Sequence, residues 1–150
     1  MHGKALHREV AITRADQLPL LLLRLIRRPD LAKHIRNLSF LVDHNDLDTM
    51  GSDELSYSLA PVPYILEMAS SIRYLYVEFF LKSAKEHTVQ AIMHLKHLQI
   101  LSVDRIQPGK GLPKNVEKFD LVSVHKIANM SRVKHLIVQG YTIGDFDLQP

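Results

Sequence analysis

The sequence predicts an α/β fold, a short solenoid arc of about five parallel strands with helices along one face. Three observations predict it. A motif of apolar, two variable, apolar, one variable and apolar residues recurs along the chain, helix-period segments separate its copies, and each copy ends in apolar/polar alternation. The clear copies are Ile35-Arg36-Asn37-Leu38-Ser39-Phe40, Ile72-Arg73-Tyr74-Leu75-Tyr76-Val77, Leu98-Gln99-Ile100-Leu101-Ser102-Val103 and Val133-Lys134-His135-Leu136-Ile137-Val138, with a weaker one at Val10-Ala11-Ile12. Alternation with period two marks a strand that buries one face.

Aligned on the central apolar residue, the copies fall at Val10, Leu38, Leu75, Leu101 and Leu136, giving separations of 28, 37, 26 and 35 residues. Two of the four are near the length of a leucine-rich repeat. The longer two need insertions, one of them the polar stretch Asp43 to Val62, in which Gly51 and Pro61, with Pro63 just beyond, act as breakers.

Helical patterns fill the intervals. Asp16 is placed to cap a helix from about Leu18 to Arg28, closed by Pro29, and Pro63 suits the first turn of a helix over Tyr64 to Ala69. Ser83-Ala84-Lys85-Glu86 has capping-box spacing, followed by Val89, Ile92, Met93 and Leu95 on one helical face. Asp120 precedes Leu121, Val124 and Ala128 at helical intervals.

Strands alternating with helices argue for parallel pairing through right-handed crossovers. A doubly wound sheet, covered on both faces, requires strands that are continuous apolar runs. These strands alternate, so Leu38 and Phe40, Leu75 and Val77, Leu101 and Val103, and Leu136 and Val138 should face the helices. Ser39, Tyr76, Ser102 and Gln139 should face water, which favours the leucine-rich-repeat-like arc.

The chain has 150 residues, 46% hydrophobic and 23% charged, the profile of one globular domain over residues 1–150. At this length roughly 70% of the unfolded surface is buried on folding, so neither disulfide nor metal is required. The absence of cysteine excludes thiolate zinc sites, iron-sulfur clusters, thiol nucleophiles and disulfide scaffolds. A net charge of +3 is too slight to indicate nucleic-acid binding.

Met1 to Val10 lacks the apolar core of a signal peptide, which predicts an intracellular protein, cytoplasmic or nuclear. The apolar run Leu18 to Ile26 is interrupted by Arg24 and far shorter than the roughly 20 residues that span a bilayer. Its leucines wrap most of the circumference, predicting a buried helix rather than a membrane-surface one. No membrane partner is therefore expected.

The stretch Leu20 to Phe40, LLLLRLIRRPDLAKHIRNLSF, resembles the opening repeat of fungal F-box-type proteins, and SSIRYLYV, LKHLQILSV and SRVKHLIV look like their later, ribonuclease-inhibitor-like repeats. In that family an F-box module docks onto a cullin-based ubiquitin ligase and the repeats hold the substrate. The nine residues before Val10 cannot supply the F-box, so the resemblance implies the repeat scaffold and its role in substrate capture, without ligase docking.

Other constellations fit catalysis or metal binding poorly. Asp43, His44, Asn45, Asp46 and Asp48 are the densest metal-type ligands, but a calcium loop starting at Asp46 would put Met50 and Tyr57 where oxygen ligands are needed. From Asn37 to Ile72 there are six acids and no lysine or arginine, leaving 10 acids against 19 bases elsewhere. The insertion at about 43–62 thus reads as a solvated acidic loop or an acidic docking loop. His94 and His97 could share a helix face, with no carboxylate to complete a site, and His125 falls on the apolar side of its helix. Gly109-Lys110-Gly111 lacks the spacing and the following Ser or Thr of a phosphate loop and is broken by Pro113, so Gln107 to Lys114 reads as a basic turn. There is no GxSxG nucleophile elbow. Neither a cofactor nor a metal is expected.

The variable strand face is the remaining candidate. Its outward positions are Glu9, Ala11 and Thr13, then Asn37, Ser39 and Leu41, then Tyr74, Tyr76 and Glu78. Ile100, Ser102 and Asp104 follow, and His135, Ile137 and Gln139 complete the grid. Strands about 4.8 Å apart would set these in a grid some 20 Å wide, a surface suited to a protein or peptide partner. Tyr74 and Tyr76 are the best anchors, since tyrosine combines large contact area with a polar tip. The expected function is a non-enzymatic protein-protein interaction module that uses Asn37, Ser39, Tyr74, Tyr76, Glu78, Ser102, Asp104, His135 and Gln139. The alternatives are a small α/β enzyme with its site near Asp43, Asp104 and Gln139, and nucleic-acid docking through Arg24 to Lys33. Only Tyr141 to Pro150 follows the last strand, which predicts an edge left open to self-association.

Overall fold

All five copies of the motif form strands of one sheet in the computed structural model, which describes residues 8–103, 112–130, 133–138 and 141–142. In chain order the strands are β1 (Glu9–Ile12), β2 (Asn37–Phe40), β3 (Tyr74–Val77), β4 (Phe80–Leu81), β5 (Ile100–Val103), β6 (Val116–Glu117), β7 (His135–Val138) and β8 (Tyr141–Thr142). The main sheet is ordered β1-β2-β3-β5-β7-β8, and its first five strands run parallel. Val10, Leu38, Leu75, Leu101 and Leu136 lie opposite one another on successive strands, the register predicted by the motif alignment. A one-residue slip would turn each leucine to the wrong face, so burial of that face fixes the register.

The turn into each strand repeats as well. The carbonyl of Arg36 accepts N–H groups from Arg73 (2.7 Å) and Tyr74 (3.1 Å). Arg73 likewise accepts from Gln99 (2.8 Å) and Ile100 (3.0 Å), and Gln99 from Lys134 (2.8 Å) and His135 (3.0 Å). Ile35, Ile72, Leu98 and Val133, the first apolar residue of each clear copy, are all buried beneath these turns.

The helices are α1 (Gln17–Arg27), α2 (Pro29–Ala32), α3 (His44–Asp48), α4 (Ser52–Leu59), α5 (Val62–Met68), α6 (Lys85–Met93) and α7 (Leu121–Met130). Helix α1 packs on α4 and α5, α5 on α6, and α6 on α7. Leu25, Ile65, Leu66, Ile92 and Ile127 from this layer share one core with Leu38, Leu75, Leu101 and Leu136 from the sheet. The other sheet face is half-exposed: β2 and β3 alternate half-buried with buried residues.

Several helix boundaries differ from expectation. Asp16 makes no capping bond; its carboxylate pairs with Arg14, while Gln17 Oε1 accepts the N–H groups of Thr13 and Arg14. Pro29 occupies the start of α2, a position where its missing N–H costs nothing. The Ser83–Glu86 capping box does not form, because Lys82–Ala84 is a 3-10 turn leading into α6. Asp120 does cap α7, its Oδ1 accepting the N–H of Ser123 at 2.7 Å.

Helix α1 corrects the expectation of a buried helix. Leu18 and Leu25 are buried, but Leu20, Leu23 and Ile26 are 67%, 45% and 57% exposed, because the helix lies in the outer layer and packs by one side only. The segment 43–62 also departs from a solvated loop. It folds into α3 and α4, which bury Leu47, Leu55 and Leu59, and Asp46 Oδ2 accepts the N–H of Ala15 at 3.0 Å. The edge of β7 is not left open: β8 pairs antiparallel with Ile137 and Val138. A further ribbon, absent from the sequence reading, pairs β4 with β6.

Candidate binding surface

The register brings the outward residues into rows. Glu9, Asn37, Tyr74, Ile100 and His135 stand side by side across β1, β2, β3, β5 and β7, with Ala11, Ser39, Tyr76, Ser102 and Ile137 in the next row. Glu9, Ala11 and His135 are exposed, and Asn37, Ser39, Tyr74, Tyr76, Glu78, Ile100 and Ile137 are half-buried. Thr13 and Leu41 are exposed, as expected of the face. Asp104 and Gln139 lie outside the described residues.

Hydrogen bonds between described residues order the face. Asn37 Nδ2 donates to Glu9 Oε1 at 3.4 Å, linking β2 to β1, and Tyr76 Oη donates to Glu78 Oε1 at 2.9 Å, aiming the phenol along β3. Ala11 and Ser39 are small, so the sheet is hollowed beside Tyr74. An open depression of about 370 Å³ results, lined by Glu9, Val10, Ala11, Asn37, Ser39 and Tyr74. Aromatic wall, amide and carboxylate around a hollow can take up a partner side chain and satisfy a polar group on it.

Ser102 corrects the expected grid. It is only 5% exposed. Its row neighbours are Tyr76 and Ile137, and these larger side chains flank the small one, so it cannot present a hydroxyl as its neighbours present their polar groups.

The remaining candidates resolve into structural roles. Asp43, nominated for an enzyme site, caps α3 through the N–H of Asn45 at 3.1 Å. His94 ends α6, its Nδ1 on the Gln90 carbonyl at 2.7 Å, and His97 lies beyond the helix, so the two do not share a helix face. His125 is exposed rather than in the core, because α7 turns Val124, Ile127 and Ala128 inward. Among the described residues no three His, Asp or Glu side chains form a group suited to a metal ion. Of the basic turn Gln107 to Lys114, residues 107–111 lie outside the description; Leu112, Pro113 and Lys114 line an open hollow of about 380 Å³ with Lys82, Val116, Glu117 and Lys118.

A charged cluster that sequence reasoning missed ties the last two helices together. Lys85 Nζ lies 2.7 Å from Asp120 Oδ2 and 3.4 Å from Glu117 Oε1. The hydrogen bond from Lys85, with the N–H of Ser123, lowers the Asp120 carboxyl to about 2, and the same bond to Asp120 raises Lys85 above its ordinary value. The partners are 35 residues apart, a pairing no local pattern reveals.

No family model, curated protein or solved structure matches this chain. Among the described residues no helix is long and apolar enough to cross a membrane.

Proposed function

We propose that the protein is a non-enzymatic protein-protein interaction module, a leucine-rich-repeat-like arc whose open sheet face docks a protein or peptide. The face of β1, β2, β3, β5 and β7 is the platform, and Tyr74 and Tyr76 are its anchors. The observation that carries this reading is the half-exposed row Asn37–Tyr74–Ile100 with the hollow beside Tyr74. Such a face offers aromatic area and polar tips on a rigid sheet, which lowers the ordering cost of binding. The F-box-type resemblance supports the same reading, since the repeats there hold a substrate.

Affinity capture from native cells tests the proposal. The wild-type chain should retain a specific protein that a Tyr74→Ala/Tyr76→Ala variant, unfolding at the same midpoint, does not. Undiminished capture by the variant would overturn the reading.

A further inference from the structure

The residue immediately before each parallel strand is Arg8, Arg36, Arg73, Gln99 or Lys134. The register that aligns Glu9, Asn37, Tyr74, Ile100 and His135 carries these one step earlier, and the turn hydrogen bonds from Arg36 to Arg8, Arg73 to Arg36, Gln99 to Arg73 and Lys134 to Gln99 keep them adjacent. Four of the five positions are cationic, on strands about 4.8 Å apart. Arg8, Arg73 and Lys134 are exposed; Arg36 is half-buried, with Nη1 donating to the Lys33 carbonyl at 2.7 Å. Lys33 and Lys96, three residues before Arg36 and Gln99, are exposed as well.

None of these cations forms an ion pair with an acid among the described residues; the pairs there are Arg14–Asp16, Arg28–Asp30, Lys85 with Glu117 and Asp120, and His87–Glu67. Like charges on adjacent strands repel. Among the described residues the row therefore holds a run of positive charge that no acid ion-pairs, although the net charge of the chain is only +3.

We infer that this rim receives an acidic segment of the docked protein, one rich in Asp and Glu that crosses the strands beside the tyrosine face. The inference rests on the proposed platform for the partner being a protein, and adds its charge. Each rim residue is followed in the chain by a platform residue, so a partner seated on Tyr74 passes over Arg73. A nucleic acid fits less well. Glu9 stands in the first row, Glu78 lies beyond Tyr76, and Gln99 interrupts the cations. A phosphodiester strand carries a charge at every residue and would meet Glu9, whereas a protein segment can place neutral side chains there.

Fluorescence anisotropy with a labelled peptide that alternates Glu-Glu and Gly-Ser pairs, oligothymidylate and a neutral Gly-Ser peptide tests this on the full chain. The acidic peptide should bind, weaken as salt rises, and lose about tenfold or more in affinity with Arg73→Glu/Lys134→Glu, a loss of about 1.4 kcal/mol or more. The exposed Lys126→Glu on α7 should leave it unchanged, and unfolding midpoints check that each variant is folded. Absent binding, or equal binding by the rim variant, overturns the inference, and tighter binding of oligothymidylate overturns the choice of an acidic protein. Protein capture separates the two proposals. Loss with Tyr74→Ala/Tyr76→Ala but not with the rim variant sinks the rim alone; loss with the rim variant only sinks the tyrosine platform.

Discussion

Tyr74 and Leu75 are chain neighbours on β3, yet opposite constraints hold them. Leu75 is fully buried, opposite Leu38 and Leu101, and its identity answers to the packing of the helix layer. Tyr74 is half-buried on the other face, opposite Asn37 and Ile100, beside a hollow that its ring walls and nothing in the described residues fills. The difference separates two jobs within one strand. Inward positions make the fold, and outward positions are released from it and can be set by a partner.

The largest test of that division is truncation on the dry face. Leu75→Ala should cost about 2–5 kcal/mol in urea unfolding, as a buried leucine that leaves a cavity. Leu55→Ala should fall in the same range, because α4 joins the core. A cost within about 0.5 kcal/mol would return the insertion to a solvated loop.

Asp120→Ala should follow, at about 1–2 kcal/mol, because it removes the cap of α7. The pH dependence has a definite sign. The Asp120 carboxyl is held at about 2, below its ordinary 3.8, so its contribution is complete above the ordinary value and fades as pH falls toward about 2. Unfolding measured across that window should show a shallower acid loss in Asp120→Asn than in wild type. Lys85, shifted upward, contributes fully below its ordinary 10.5 and loses that contribution as pH rises from there through its raised value.

On the wet face the effects should be small. Tyr74→Ala and Tyr76→Ala should each cost below about 1 kcal/mol, the centre of the distribution for point substitutions. Smaller still, Arg73→Glu should leave the unfolding midpoint level or slightly higher, since it removes a like-charged neighbour of Arg36. A Tyr74→Ala penalty as large as that of Leu75→Ala would erase the distinction between the faces.

What the sequence makes legible follows from the same division. Burial of one face imposes period two, so the alignment of Val10, Leu38, Leu75, Leu101 and Leu136 contains the register, and parallel order follows from the intervening helices. The insertion reads as a loop because acids dominate its composition, although Leu47, Leu55 and Leu59 keep helical spacing. Ser102 could not be judged from its own strand, since Tyr76 and Ile137 on the neighbouring strands bury it. His125 lies outward because the inward face of α7 runs through Val124, Ile127 and Ala128. The bonds of Asp46 to Ala15 and of Lys85 to Asp120 span 31 and 35 residues, beyond any local pattern. The charge row stayed hidden for a related reason: its cations are scattered along the chain and meet only when the strands stack.

Site-specific photocrosslinking tests the central claim most directly. A photoreactive phenylalanine analogue placed at Tyr74 on the open face is compared with one at Tyr64, half-exposed on α5 in the helix layer and edge-on to His87. Irradiation in native cells should yield one discrete protein adduct from position 74 and none from position 64. An adduct from position 64 alone, or adducts of equal yield from both, would contradict the account.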